Sequence, residues 1–161
     1  MRDWRPATQE PTASDEFTAF VHDHETQLRH SLSATLGSEL GREAAAEALA
    51  YAWEHWERVG AMENPVGYLY RVGSDRGRRL LRRDPPVFTQ PSFGRIPMVE
   101  PGLPKALARL PERQRLAVML IHCFEWSFSE VANLLGISKP TVQTHLARGM
   151  STLRREIGVD E

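Results

Sequence analysis

Residues 84–104, DPPVFTQPSFGRIPMVEPGLP, hold six of the chain's 11 prolines and show no hydrophobic period. Proline has no amide hydrogen and fixes φ, so neither a helix nor a central strand runs through such a stretch. Regular structure must form on either side of it. This predicts a semi-stiff tether over 84–102 between a first block at 14–83 and a second at 103–161, each near the size where a lone core is marginal. Partner-dependent stability is expected from blocks this small. Residues 1–13, with two prolines and no period, read as a disordered lead-in.

Both blocks read as helical. Ser14 stands as an N-cap ahead of Asp15 and Glu16, and Phe17, Phe20, Val21, Leu28, Leu32 and Leu36 recur at helical spacing, predicting a helix over 15–36. After Gly37 and Gly41, the stripe Ala45, Ala48, Leu49, Ala52, Trp53 and Trp56 predicts a second helix ending near Gly60, with both tryptophans in the core. Asn64 and Pro65 open a third, with Val66, Leu69, Tyr70 and Leu80 on its apolar side and an end at Asp84. Gly67, Gly73 and Gly77 each cost its interior about 1 kcal/mol against Ala, which points to close backbone approach or to a weak helix. Beyond the tether, four helices broken at Pro111, near Trp126 and at Gly136 are expected. No strand pattern competes. The predicted fold class is all-α, in two small helical domains.

Composition narrows the function. With 41% hydrophobic and 25% charged residues the chain is a folding one, and 20 basic against 21 acidic side chains leave a net charge of -1. A uniformly basic coat protein is excluded, so any polyanion must be met by local patches. The single Cys123 excludes an intrachain disulfide and any all-thiolate metal centre, which suits a reducing cytosol. Its spacing with Leu116, Met119 and Leu120 predicts a core position. No run approaches the ~18 apolar residues of a membrane span and no signal peptide is visible, so we expect a cytoplasmic protein without membrane insertion.

The second block carries the sharpest motif. Ser127 and Glu130 form an S-x-x-E capping box, and Val131, Ala132, Leu134 and Leu135 fill one side of a two-turn helix. Gly136 falls at a left-handed turn, Ser138 caps the next helix, and Ile137, Val142 and Leu146 pack behind it. Its outer side then presents Lys139, Thr141, Gln143, Thr144 and Arg148, without a carboxylate. Such a face suits the major groove, where Gln, Thr and Arg read base edges and cations neutralise phosphate. A plain helical hairpin with a solvated face is the ordinary alternative. Arg113 and Arg115, on the helix opening at Pro111, stand where phosphates beside the groove would be gripped.

A second basic feature lies at residues 71–83, RVGSDRGRRLLRR, where six arginines against Asp75 give a local net of +5. Residues 10–57 instead hold ten carboxylates against Arg29 and Arg42. Six arginines exceed what a helix C-terminus needs, so phosphate contact is expected here. Tyr68 and Tyr70 stand beside this stretch as candidate stacking surfaces for unpaired bases.

These residues carry a resemblance. LPERQRLAVML followed by FSEVANLLGISKPTVQTHLARGMSTLRR resembles domain four of the extracytoplasmic-function sigma factors, the smallest members of the sigma-seventy superfamily. NPVGYLYRVGSDRGRRLLRR resembles that family's NPxxWLxxIAxNxxxDxxRR segment in domain two, and GREAAAEALAYAW aligns with the segment that docks on core RNA polymerase. The likeness spans residues 15–83 and 103–157. It implies that Lys139, Thr141, Gln143, Thr144 and Arg148 read the minus-35 element, with Arg113 and Arg115 on its backbone. It further implies that Glu63, Asn64, Tyr68, Arg71, Asp75, Arg78, Arg79 and Arg82 hold the minus-10 element, and that Glu43, Glu47 and Tyr51 dock polymerase. Core RNA polymerase, promoter DNA as duplex and melted strand, and an anti-sigma factor are the implied partners. The implied mechanism is binding, with no catalysis, metal or small cofactor. Glu43, Ala44, Ala46 and Glu47 stand where the family carries an Asp-Leu and Gln-Glu pattern, and Asp75 where it carries Asn.

Two other classes compete with this one. A helix-turn-helix regulator that does not engage polymerase, sigma-derived or like a response-regulator output domain, explains 103–157 but leaves the basic third helix without a role. An enzyme would need a site that the sequence does not offer. His22, His24 and His30 lack metal-ligand spacing, and no phosphate loop or nucleophile elbow occurs.

Overall fold

In the computed structural model of the protein, residues 9–83 and 101–158 are described. The 84–100 part of the predicted tether and most of the predicted lead-in lie outside them. Among the described residues the chain is helical, with no strand: α1 (Ala13–Leu36), α2 (Ser38–Glu54), α3 (Trp56–Val59), α4 (Pro65–Arg83), α5 (Leu103–Arg109), α6 (Glu112–Val118), α7 (Phe128–Leu135) and α8 (Lys139–Ile157). A π-helical turn, Met119–Cys123, extends α6.

α1 starts two residues earlier than its spacing predicts. Thr12, not Ser14, is the cap: its hydroxyl accepts the Asp15 amide at 3.2 Å while Asp15 Oδ2 accepts the Thr12 amide at 3.0 Å. At its other end one residue, Gly37 with φ 89°, separates α1 from α2. α2 therefore folds straight back along α1, and Gly41 lies inside it rather than in a break. A Cβ at Gly41 would stand 2.5 Å from Ser33 Cα, so this glycine lets the two backbones nearly touch. The second predicted helix is also divided, since α2 ends at Glu54 and α3 restarts at Trp56.

α4 packs into the groove of α1 and α2. Leu28, Leu32, Ala45, Ala48, Ala52, Val59 and Leu69 are buried there. Each large aliphatic side chain so buried contributes roughly 1.5–3 kcal/mol. Gly73 and Gly77 have a packing reason, because a Cβ on Gly73 would meet Leu32 at 2.8 Å and one on Gly77 would meet Leu36. Two expected core residues are exposed, Trp53 at 50% and Leu80 at 40%. Trp53 falls at the edge of the α2 stripe, beyond the buried Ala45, Ala48 and Ala52, and rests outside against Phe17, while Trp56 remains half-buried between Phe17 and Phe20.

In the second block α8 is the spine, with α5, α6 and α7 packed on it. Gly149 of α8 sits against Val118 and Gln114 of α6, where a Cβ would come 2.8 Å from Val118 Cγ2. Leu116, Leu120, Val131, Val142 and Leu153 close the core. Cys123, expected inside, is exposed. A π turn adds a residue to the helical repeat and so rotates the positions beyond it, which breaks the phase linking Cys123 to Leu116 and Leu120. Its sulfur is still partly desolvated, which pushes the thiol pKa above its ordinary value.

Candidate nucleic-acid interface

α7 and α8 form the predicted helix-turn-helix. The Ser127 hydroxyl accepts the Glu130 amide at 3.1 Å, and Glu130 Oε2 accepts the Ser127 amide at 2.7 Å. Gly136 takes the left-handed conformation, φ 64° and ψ 37°, that ends α7. The Ser138 hydroxyl then accepts the Thr141 amide at 3.3 Å and starts α8. These two caps and one glycine set the crossing of the helices.

On α8, Val142 is fully buried and Leu146 half-buried. The opposite side exposes Lys139, Thr141, Gln143, Thr144 and Arg148 together. Thr144 Oγ1 donates to the Pro140 carbonyl at 3.1 Å, and Thr141 Oγ1 shares a 2.8 Å hydrogen bond with Ser138 Oγ. Lys139, Gln143 and Arg148 make no side-chain hydrogen bond or ion pair among the described residues, so they meet a ligand without first breaking an internal bond. Arg113 is exposed and lies close enough, with Arg148, to bias His145. Burial first, and then these two cations, hold the His145 pKa below its ordinary value.

Arg115 is placed otherwise. Its guanidinium turns into the molecule, donating from Nε to the Ala34 carbonyl at 3.0 Å and from Nη2 to that of Thr35 at 3.2 Å. A third bond runs to Leu110 O at 3.3 Å. Burial pulls its pKa below the ordinary arginine value. In this arrangement Arg115 fastens the second block to the first rather than facing outward beside Arg113.

The first block spreads its candidates along α4 and the turn before it. Glu63, Arg71, Asp75 and Arg79 are exposed, and Arg82 lies in the last turn of α4. Asn64 caps α4 by accepting the Gly67 amide at 2.9 Å. Its Nδ2 also donates to the Asn133 carbonyl of α7. Arg78 reaches Asp75 at 3.5 Å and pairs with Glu112 of α6. Glu43 and Glu47 are exposed on α2, with Ala46 between them, whereas Ala44 is buried.

Tyr51 and Tyr68, from sets with different implied partners, come together. Their hydroxyls lie 3.1 Å apart, and Arg58 donates to both. Arg76 stacks its guanidinium 5.3 Å from the Tyr51 ring centre. The hydrogen bond with Tyr51 is the largest influence on Tyr68 and, opposed by desolvation and helped by Arg58 and Arg71, holds its pKa below the ordinary value. Arg58 escaped the sequence reading, and Arg76, counted there only among the arginines of residues 71–83, stands over Tyr51. Spacing offered a signal for the first, since positions 51 and 58 are seven residues apart and share a helical side.

Residues 102–153 match the family model for sigma-70, region 4. In fold the chain is similar to the sigma factor RpoE in its co-crystal structure with the anti-sigma factor NepR from Bartonella quintana. That match covers 91% of this chain and 99% of that one, with a TM-score of 0.58 and 19% sequence identity. A search of curated proteins finds no match. Helical architecture and helix-turn-helix thus give the chain a sigma-factor fold. Residues 102–153 are similar to sigma-70 region 4, and the chain shares its fold with an extracytoplasmic-function sigma factor, in line with the resemblance read from the sequence.

Proposed function

We propose that the protein docks on core RNA polymerase and directs initiation at promoters that carry both a minus-35 and a minus-10 element. The observation that carries this reading is the outward side of α8, with Lys139, Gln143 and Arg148 exposed and unengaged within a sigma-70 region 4 match. Gln143 and Arg148 read base edges and Lys139 and Arg113 neutralise phosphate. α4 and the turn at Glu63 and Asn64 hold the melted downstream strand, with Tyr68 as a stacking surface and Arg71 and Arg79 on phosphates. Glu43 and Glu47 form the docking edge of α2.

Either DNA contact alone is weak. Joining both in one chain on one polymerase raises the effective concentration of the second, so occupancy demands a fixed spacing between the elements. The protein works by binding rather than by catalysis, in the cytoplasm where polymerase resides. No helix among the described residues is long and apolar enough to cross a membrane. The complex of RpoE with NepR supports an anti-sigma factor as a further partner.

Selection of bound fragments from a random duplex library, with and without core polymerase, tests this reading. It predicts one conserved element without polymerase and two at constant spacing with it. A palindrome selected equally in both conditions would overturn it in favour of a dimeric regulator.

A further inference from the structure

His145 stands on α8 beside the side chains that face the duplex. It lies one helical turn after Thr141 and one turn before Arg148, and so shares a side of the helix with both. Val142 and Gly149 are buried at the back of α8, which leaves His145 half-buried on a flank of the reading side. α6 packs against α8 and brings the exposed Arg113 to the same flank. Three nitrogen-bearing side chains from two helices thus border the surface that would meet DNA.

The ring has no partner inside the protein. Among the described residues His145 makes no hydrogen bond, ion pair or ring contact, and the charges that act on it, Arg113 and Arg148, are both positive. Carboxylates on the helices packed against α8 are turned to other groups, Glu112 to Arg78 and Glu130 to the Ser127 amide. Arg109 of α5 is paired with Glu156. Partial burial and two cations together disfavour the imidazolium, so the free chain holds this ring neutral near pH 7.

A DNA backbone reverses that balance. Phosphates beside the groove cancel the repulsion from Arg113 and Arg148 and offer acceptors to a ring N–H. The imidazolium, with two donors and no acceptor, is the form such a site favours. We infer that His145 is a proton-dependent phosphate contact, neutral in the free chain and cationic on the duplex, so that duplex binding takes up as much as one proton from solvent. The inference rests on the promoter reading above and deepens it, since α8 then holds the duplex more tightly as pH falls. A third arginine here would repel Arg113 and Arg148 in the free chain at every pH. Histidine acquires its charge only when phosphate is present to balance it.

The test titrates the full chain with a fluorescent random-sequence duplex at low salt between pH 8 and pH 6. Each pKa unit separating the bound ring from the free one is worth about tenfold in affinity as pH falls. The parent should bind at least about threefold more tightly at pH 6 than at pH 8, with a salt dependence steeper by up to about one phosphate contact. His145→Gln, neutral throughout, should lose most of that rise, and His145→Arg, cationic throughout, should bind at pH 8 nearly as tightly as at pH 6. Calorimetry in two buffers of different ionisation enthalpy should register proton uptake by the parent and less by His145→Gln. A rise shared in full by His145→Gln, or a parent affinity that ignores pH, overturns the contact. If a variant fails to fold, proton uptake by the parent decides, and its absence overturns the contact. A parent chain that binds no duplex at any pH brings down the promoter reading and the contact with it, whereas binding without proton uptake brings down the contact alone.

Discussion

Arg115 and Ala34, 81 residues apart in the chain, are joined by a 3.0 Å hydrogen bond from the guanidinium Nε to the carbonyl oxygen. The same guanidinium spans to the carbonyl of Thr35, so one side chain closes the end of α1. Replacing Arg115 with Ala leaves two carbonyls at a packed interface without a donor. A loss of about 1–3 kcal/mol is expected in urea unfolding, and Arg115→Lys restores only part of it because an ammonium lacks the planar fork. The exposed Arg113→Ala serves as the reference and is expected to cost less than about 0.5 kcal/mol. Equal effects at the two positions would show that Arg115 carries no structural bond.

The helix glycines make an ordered pair of predictions. Gly41→Ala drives a methyl into the Ser33 backbone, which moves only if α1 and α2 separate, and a cost of about 1–3 kcal/mol is expected. Gly77→Ala meets the end of the Leu36 side chain, which can rotate aside, and gains up to about 1 kcal/mol of helix propensity. Urea midpoints should therefore fall far more for Gly41→Ala. The reverse order would mean that α4, not α2, makes the tighter approach.

Arg148→Ala removes an exposed cation without disturbing a bond inside the protein. Duplex affinity should weaken by on the order of 1–3 kcal/mol with selectivity relaxed at one base pair. Uniform weakening across sequences, with a shallower salt dependence, would reassign Arg148 to phosphate.

Acid should loosen the contact between the two blocks, where His30 stacks on Phe124 with ring centres 4.0 Å apart. Burial first, and then Arg29, hold the His30 pKa below its ordinary value of 6.5, against an opposing pull from Glu25. A histidine whose folded pKa is depressed favours the fold in its neutral form. Its contribution is complete above the unfolded pKa and is lost as pH falls through the folded value. His145 is shifted in the same direction. The unfolding midpoint should accordingly drop as pH is lowered from about 7 to about 5, and His30→Phe, which keeps a ring on Phe124, should flatten part of that drop. An identical pH profile in the variant would remove His30 from the account.

Local signals were legible in the sequence wherever a short-range rule sets the backbone. The S-x-x-E box at Ser127, the left-handed turn at Gly136 and the Asn64–Pro65 start each depend on residues within one helical turn, and each is found as read. Errors arose where phase decides. Periodicity carried Trp53 into the core because it lies at the edge of a stripe whose small alanines alone face inward, and Cys123 because it assumes an unbroken α-helix, whereas the π turn at Met119–Cys123 rotates it outward. Ser14 lost to Thr12 because two residues with similar capping chemistry stand two positions apart. The contact of Arg115 with the end of α1 was not legible at all. Backbone carbonyls carry no mark in a sequence, so an arginine bound for the end of α1 reads the same as one bound for phosphate.

Transcription with purified core RNA polymerase and a library of random promoters tests the central claim most directly. The account predicts defined transcripts that require the protein and start at a constant distance from two elements of fixed spacing, and their loss with Glu43→Lys and Glu47→Lys combined. Duplex binding by α8 without polymerase retention and without protein-dependent transcripts would contradict it.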